Sequence, residues 1–267
     1  MRDMNYQSKR IVALTIAGLD PSGGAGAIAD IRTFVALKCF PTAALTSLTF
    51  QNTTGVFGVA HQSAATVRSQ IEAVVQDFPV AAAKTGMLPS AEIVSEVARL
   101  FRETRLPAPV IDPVMISTTG HNLLARDAFE ALQRELLPLA RIVTPNIPEA
   151  QQLAGISIAN ETDMRRAAEI IQQLGAKTVL VKGGHLRSKD ALDILINDAG
   201  EFIEYREEFV DVGEIHGSGC TLSAAIVAGL ANGLSLEAAV GEAKSFVTKA
   251  IWALRVEPRL GHGARPL

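Results

Sequence analysis

Ile11-Val12-Ala13-Leu14-Thr15-Ile16, a glycine-rich turn from Gly18 to Gly26, the amphipathic stretch Ala25–Leu37 and the apolar run Thr42–Thr49 follow one another near the start of the chain. The first run is β-branched and of strand length, the stretch after the turn has helical spacing, and the next run is again strand-like. This is one βαβ unit, which fixes a parallel pair of strands. The rhythm continues outward. Ala64–Phe78 reads as helix and Val80–Lys84 as strand, and Ile93, Val97, Leu100 and Phe101 share one face of a further helix. Strands are predicted at Pro109–Asp112, Arg141–Thr144 and Thr178–Lys182, with Ala167, Ile170, Ile171 and Leu174 as the inner face of a helix before the last of these. The pattern then changes. Leu192–Asn197 and Phe202–Val210 follow without a helix between them, which predicts an antiparallel hairpin about Asp198-Ala199-Gly200. Two helices, Cys220–Ala231 and Leu236–Leu254, are separated by the stop signal Asn232-Gly233. The expected architecture is a single α/β domain over residues 1–267.

Composition limits the function. With 25 basic and 28 acidic residues among 267 and a net charge of −3, the chain has no electrostatic footprint for nucleic acid or an anionic membrane. No apolar run reaches the ~18 residues of a membrane span, and residues 1–10 lack the apolar region of a signal peptide, so a cytoplasmic protein is expected. Cys39 and Cys220, the two cysteines, have neither metal spacing nor a disulfide framework and read as free thiols.

Polar clusters fall just after the predicted strands, where an open parallel sheet binds its ligands. Gly24-Ala25-Gly26-Ala27-Ile28-Ala29 matches the dinucleotide fingerprint in form. That fingerprint requires an acid about 20 residues on, and none occurs between Asp30 and Glu72, which excludes NAD. Gly18 and Asp30 remain as a close-approach loop and an acid a turn later, equally consistent with a ligand site or a tight turn. Gln51-Asn52-Thr53 offers paired donors and acceptors, and also reads as an ordinary turn. Met87 and Val114 have the shape to wall a flat ring or to fill a core. Asn146 and Glu149 have the spacing of a capping box. Lys182, beside Gly183-Gly184 at a strand end, is placed to hold a phosphate, although no P-loop sequence is present. His216-Gly217-Ser218-Gly219-Cys220 leads straight into an apolar helix, an anion site made of backbone amides with a thiol at its centre.

Taken in order, these clusters resemble the hydroxymethylpyrimidine and hydroxymethylpyrimidine phosphate kinases of the ribokinase-like superfamily. The resemblance rests on Asp20-Pro21-Ser22-Gly23-Gly24-Ala25-Gly26, Ala29-Asp30, Gln51-Asn52-Thr53, Lys84-Thr85-Gly86-Met87-Leu88, Asp112-Pro113-Val114-Met115, Thr144-Pro145-Asn146, Lys182-Gly183-Gly184-His185-Leu186 and Gly219-Cys220-Thr221. It implies a three-layer α/β/α fold and magnesium-dependent transfer of the ATP γ-phosphoryl group to a hydroxymethylpyrimidine, then to its monophosphate, in thiamine biosynthesis. It also implies a homodimer. On that resemblance Gly18, Asp30 and Gln51 hold the aminopyrimidine edge, with Met87 and Val114 as its walls. Asn146, Glu149 and Lys182 address the nucleotide, Asp112 and Glu149 the magnesium. Gly217, Ser218 and Gly219 form the anion hole, and Cys220, its pKa lowered by the helix end, stands beside the substrate hydroxyl. The chain departs from the family's usual pattern at Ile28, Ile215 and Ser218. A pyridoxal kinase on the same scaffold, a cysteine hydrolase using Cys220 with His216, and a non-catalytic binding protein are the competing readings.

Overall fold

The structure, a computed structural model, describes residues 10–115, 125–184 and 190–267. His185 and Leu186 of the quoted motif lie outside the described residues. Strand β1 (Ile11–Leu19) runs through the middle of a nine-stranded sheet and buries all of its residues except the first and last. Helix α1 (Gly26–Ala36) carries the chain to β2 (Cys39–Asn52) on one side, and β3 (Gly55–His61) folds back antiparallel on β2 at that edge. After α2 (Ala64–Asp77) the chain returns to β4 (Val80–Thr85) on the other side of β1. The sheet then grows in parallel through β5 (Val110–Ile111), β6 (Ile142–Val143) and β7 (Val179–Lys182). The predicted hairpin is present as β8 (Asp190–Ile196) and β9 (Phe202–Glu208), both antiparallel to their neighbours.

Helices cover both faces, as the period-2 pattern of the strands demands. Ala13, Val110, Ile142, Leu180 and Leu195 point to one core with Phe34 of α1, Leu222 and Ile226 of α7 (Ser218–Ala231) and Val240 of α8 (Leu236–Ala253). Their neighbours Leu14, Ile111, Val143, Val181 and Ile194 point to the other. There they meet Ile71 of α2, Val97 of α3 (Ala91–Glu103), Ala128 of α4 (Arg126–Ala131), Leu153 of α5 (Ile147–Ala154) and Ile171 of α6 (Glu161–Gln173). The result is the expected three-layer α/β/α architecture. Three details differ from the sequence reading. A second antiparallel strand, β3, closes the opposite edge. The inner face of α6 is Met164, Ala167, Ala168 and Ile171, with Ile170 only half-buried. A two-residue strand, β10 (Ile215–His216), pairs with β11 (Arg265–Pro266), which no periodicity announces.

Helix N-termini fall into two groups. Ser63, Ser90, Asn146, Asn160 and Ser235 accept backbone N–H bonds and cap α2, α3, α5, α6 and α8. Ala25, Ala125 and Gly217, at the starts of α1, α4 and α7, offer no side-chain cap.

Candidate active site

Strands β1 and β4 are neighbours, but the chain leaves them toward opposite edges of the sheet, with α1 on one face and α3 on the other. Such a switch point opens a crevice beyond the carboxyl ends of the strands. A cavity of about 440 Å³ lies there, bordered by Gly18, Gln51, Met87 and Val114 at one end and by Asn146, Lys182 and Gly217–Cys220 at the other. Asp30, Asp112 and Glu149 also border it, so the structure brings together every candidate residue named from the sequence. A second cavity of about 490 Å³ adjoins the first and shares Asn146, Lys182, Ile215, Ser218 and Gly219 with it. Its remaining wall includes Phe209, just after β9, and Lys244, Val247, Thr248 and Ile251 of α8; it was not anticipated, because Val247 and Ile251 fit the apolar spacing of an ordinary core helix.

The loop that leads into α7 is shaped by Gly217, whose φ of 86° lies in the left-handed region and whose Cβ, were it present, would overlap the Gly24 carbonyl oxygen. The two glycine-rich loops therefore touch backbone to backbone. Asp20 locks them: its carboxylate accepts bonds from the Ser22 and Ala25 amides at 2.8 and 2.9 Å and from the Ser22 hydroxyl at 2.7 Å, and it lies 2.8 Å from His216 Nε2. Burial alone would raise the Asp20 pKa, but the bonds from His216, Ser22 and Gln51 hold it well below the usual carboxylate range.

Lys182 Nζ sits 3.0 Å from Asp112 Oδ1 and about as far from the point where a Cβ on Gly219 would stand, so the ammonium lies against the first turn of α7. Asp112 is further fixed by the Ser223 hydroxyl at 3.2 Å. Asn146 and Glu149 form the capping box: Glu149 N–H donates to Asn146 Oδ1 at 2.9 Å and Asn146 N–H to Glu149 Oε2 at 2.8 Å. Below the floor, Lys84 and Asp30 make a 2.7 Å ion pair with no exposure on either side chain, and the Thr15 hydroxyl donates to the second Asp30 oxygen at 2.6 Å.

The sequence model of the family described as phosphomethylpyrimidine kinase matches residues 20–267. The chain belongs to this family. It is 45% identical over 242 residues to the hydroxymethylpyrimidine/phosphomethylpyrimidine kinase of Haemophilus influenzae, covering 89% of this chain and 90% of that one. A thiamine biosynthesis bifunctional protein of Geobacter sulfurreducens is 44% identical over 95% of this chain, which spans about half of that relative's length (51%). The phosphomethylpyrimidine kinase of Clostridium difficile superimposes with a TM-score of 0.80 at 45% identity, over 91% of this chain and 100% of that one. A pyridoxal kinase of Bacillus subtilis, solved as an ADP complex, does so with 0.87 at 36% identity over 96% of each.

Asp30 borders the cavity, with one of its carboxylate oxygens bonded to Lys84 and the other to Thr15. One electrostatic expectation for this phosphomethylpyrimidine kinase family member needs correction. Cys220 does stand in the first turn of α7, but burial pushes its thiol up to about 12; Lys84 pulls the other way, and Asp112 and Asp30 reinforce the rise. Desolvation outweighs the helix end, and the side chain is a thiol at neutral pH.

Burial likewise pushes Glu149 up to about 7, against the pull of Lys182 and with the help of Asp112. Between the ordinary 4.5 and about 7, the folded protein holds a proton that the unfolded chain has released, so this group's contribution to stability falls as pH rises. In the ligand-free protein Glu149→Gln is therefore expected to gain stability relative to the parent between about pH 5 and about pH 8, read from denaturation midpoints. A parent-to-variant difference that does not change with pH contradicts the shift. Among the described residues no group of three or more His, Cys, Asp or Glu could hold a metal. Asp112 and Glu149 do supply two hard oxygen donors beside the shared wall of the cavities, which suits a magnesium ion that takes most of its remaining ligands from phosphate and water.

Proposed function

We propose that this chain transfers the γ-phosphoryl group of ATP to the hydroxymethyl group of 4-amino-5-hydroxymethyl-2-methylpyrimidine, and then phosphorylates the monophosphate to the diphosphate, in thiamine biosynthesis. The observation that carries this reading is the shared wall: the two cavities meet where Lys182, Asn146, Ile215 and the uncapped start of α7 lie. The larger cavity takes the nucleotide, with its base toward Phe209, Val247 and Ile251. The smaller takes the pyrimidine, held at its polar edge by Gly18 and Gln51 and walled by Met87 and Val114. The amides of Ser218, Gly219 and Cys220 and the Lys182 ammonium stabilise charge on the group in transit. Magnesium, held by Asp112 and Glu149, would neutralise phosphate charge there.

Cys220 acts as a thiol that orients the hydroxyl by hydrogen bonding; a loose phosphoryl-transfer transition state needs position before it needs a base. Cys220→Ala is expected to lower kcat by about 10- to 100-fold through misplacement of the hydroxyl, with the KM for ATP changed by less than about twofold. The parent's rate profile should show no thiol limb between about pH 7 and about pH 10, where an ordinary cysteine ionises. An ionisation near pH 8.5 that disappears in the alanine variant would restore Cys220 as a base.

Pyridoxal phosphorylation is the second reading, favoured by the fit to the Bacillus subtilis pyridoxal kinase. A phosphorylation time course with product identification, run on the hydroxymethylpyrimidine and on pyridoxal, separates the two. Two successive pyrimidine phosphates support the proposal, and higher kcat/KM with pyridoxal overturns it.

A further inference from the structure

The segment following α8 bonds to two loops, one next to Gln51 and one leading into Gly217, both of which border the first cavity. Gly263 N–H donates to the Thr53 hydroxyl at 3.1 Å and Ala264 N–H to the Thr53 carbonyl at 2.9 Å, which fixes the turn at the tip of the β2–β3 hairpin. Gly263 must lack a side chain for this approach, since a Cβ would overlap the Thr53 carbonyl oxygen. Two residues on, Arg265 N–H donates to the Glu214 carbonyl at 2.8 Å, and Leu267 N–H to the His216 carbonyl at 3.2 Å, as β11 pairs with β10 immediately before Gly217. Pro266 also lies close to Gly24, where a Cβ would come within 3.2 Å of it. One short stretch of backbone thus joins the turn next to Gln51 to the loop that starts α7, although those loops lie more than 150 residues apart in sequence.

We infer that residues 263–267 are a clasp that positions the acceptor: through Thr53 they hold Gln51 at a set distance from the loop that leads into α7. The inference rests on the proposed role of Gln51 at the pyrimidine edge. Thr53 touches neither cavity, so it is a positioning residue, and its effect should fall on the acceptor alone. A backbone carbonyl bond survives any substitution at Thr53, whereas the hydroxyl bond survives only in serine, which allows the clasp to be loosened without being removed.

The test compares steady-state kinetics and melting temperature for Thr53→Val, Thr53→Ser, Gly263→Ala and Gln51→Leu, with hydroxymethylpyrimidine and ATP varied in turn. Thr53→Val should raise the KM for the pyrimidine about three- to fivefold, the size of one net hydrogen bond, with the KM for ATP unchanged. Thr53→Ser, which keeps the hydroxyl, should restore the parent value. Gly263→Ala should reproduce the pattern from the other half of the clasp with a larger rise. Equal changes in both KM values, a melting temperature that falls in step with activity, or a serine variant no better than valine would overturn the clasp. If Gln51→Leu raises the pyrimidine KM while Thr53→Val does not, the clasp alone fails. If Gln51→Leu leaves that KM unchanged, the acceptor-edge reading fails and takes the clasp with it.

Discussion

Lys182→Met is expected to lower kcat/KM by about 10²- to 10³-fold, the loss seen when one charge-stabilising donor is taken from a desolvated transfer site. The ammonium lies at the wall common to both cavities, against the first turn of α7 and 3.0 Å from Asp112. Burial lowers a lysine pKa, but here the charges of Asp112 and Glu149 outweigh it and hold the pKa above its ordinary value, so the group is a cation throughout the working range. Methionine keeps the length and apolar stem while deleting the charge; because it also strands the buried Asp112, the melting temperature is expected to fall, and rates are compared at a temperature where both proteins are folded. Arginine should recover only part of the loss, because its planar fork does not reproduce a point charge. Initial rates with ATP and the pyrimidine measure the effect; a methionine variant within about tenfold of the parent would remove Lys182 from the transfer site.

Lys84→Met is expected to destabilise the fold by about 3–5 kcal/mol, the range for removing one partner of a fully buried ion pair. Neither side chain of the Lys84–Asp30 pair has any exposure, so Asp30 would be left in the core with only the Thr15 hydroxyl beside it, and would have to stay charged without its counter-ion or take up a proton, its pKa already raised by burial. The same argument fixes the control. Replacing both residues, as in Lys84→Met with Asp30→Leu, removes the stranded charge and should cost less than Lys84→Met alone. Urea denaturation midpoints at constant m-value provide the comparison. A single variant within about 1 kcal/mol of the parent, or a double variant worse than the single, would refute a structural role for the pair.

The Lys84–Asp30 pair also marks where sequence reading stops. Both residues stood out because each lies beside a glycine-rich strand end, but their separation of 54 positions carries no signal that they meet. The ion pair that Asp30 makes across the fold was accordingly not foreseen. The lowered thiol pKa expected at Cys220 failed for a related reason: a helix N-terminus is legible in sequence, whereas burial is a property of the whole fold, and burial dominates the thiol. The inner parallel strands β1, β5, β6 and β7 were legible, since they bury both faces and read as apolar runs. Gly55–His61 was not, because an edge strand with half-exposed residues and two glycines lacks either periodicity. The wall of the second cavity was hidden in plain apolar spacing, and the pairing of Ile215–His216 with Arg265–Pro266 is too short to have a pattern at all.

The absence of side-chain caps on α1 and α7 has a cost that α2, α3, α5, α6 and α8 avoid. A missing cap forfeits about 1 kcal/mol, and at α1 and α7 the deficit falls beside one cavity. On the proposed function the resting molecule is thus least self-sufficient where it is most useful: amides of α7 that elsewhere are spent on serine and asparagine are kept for a visiting phosphate. Stability and activity are in direct competition for the same few donors, and any substitution that settles the matter in favour of the fold does so by occupying the place of the substrate.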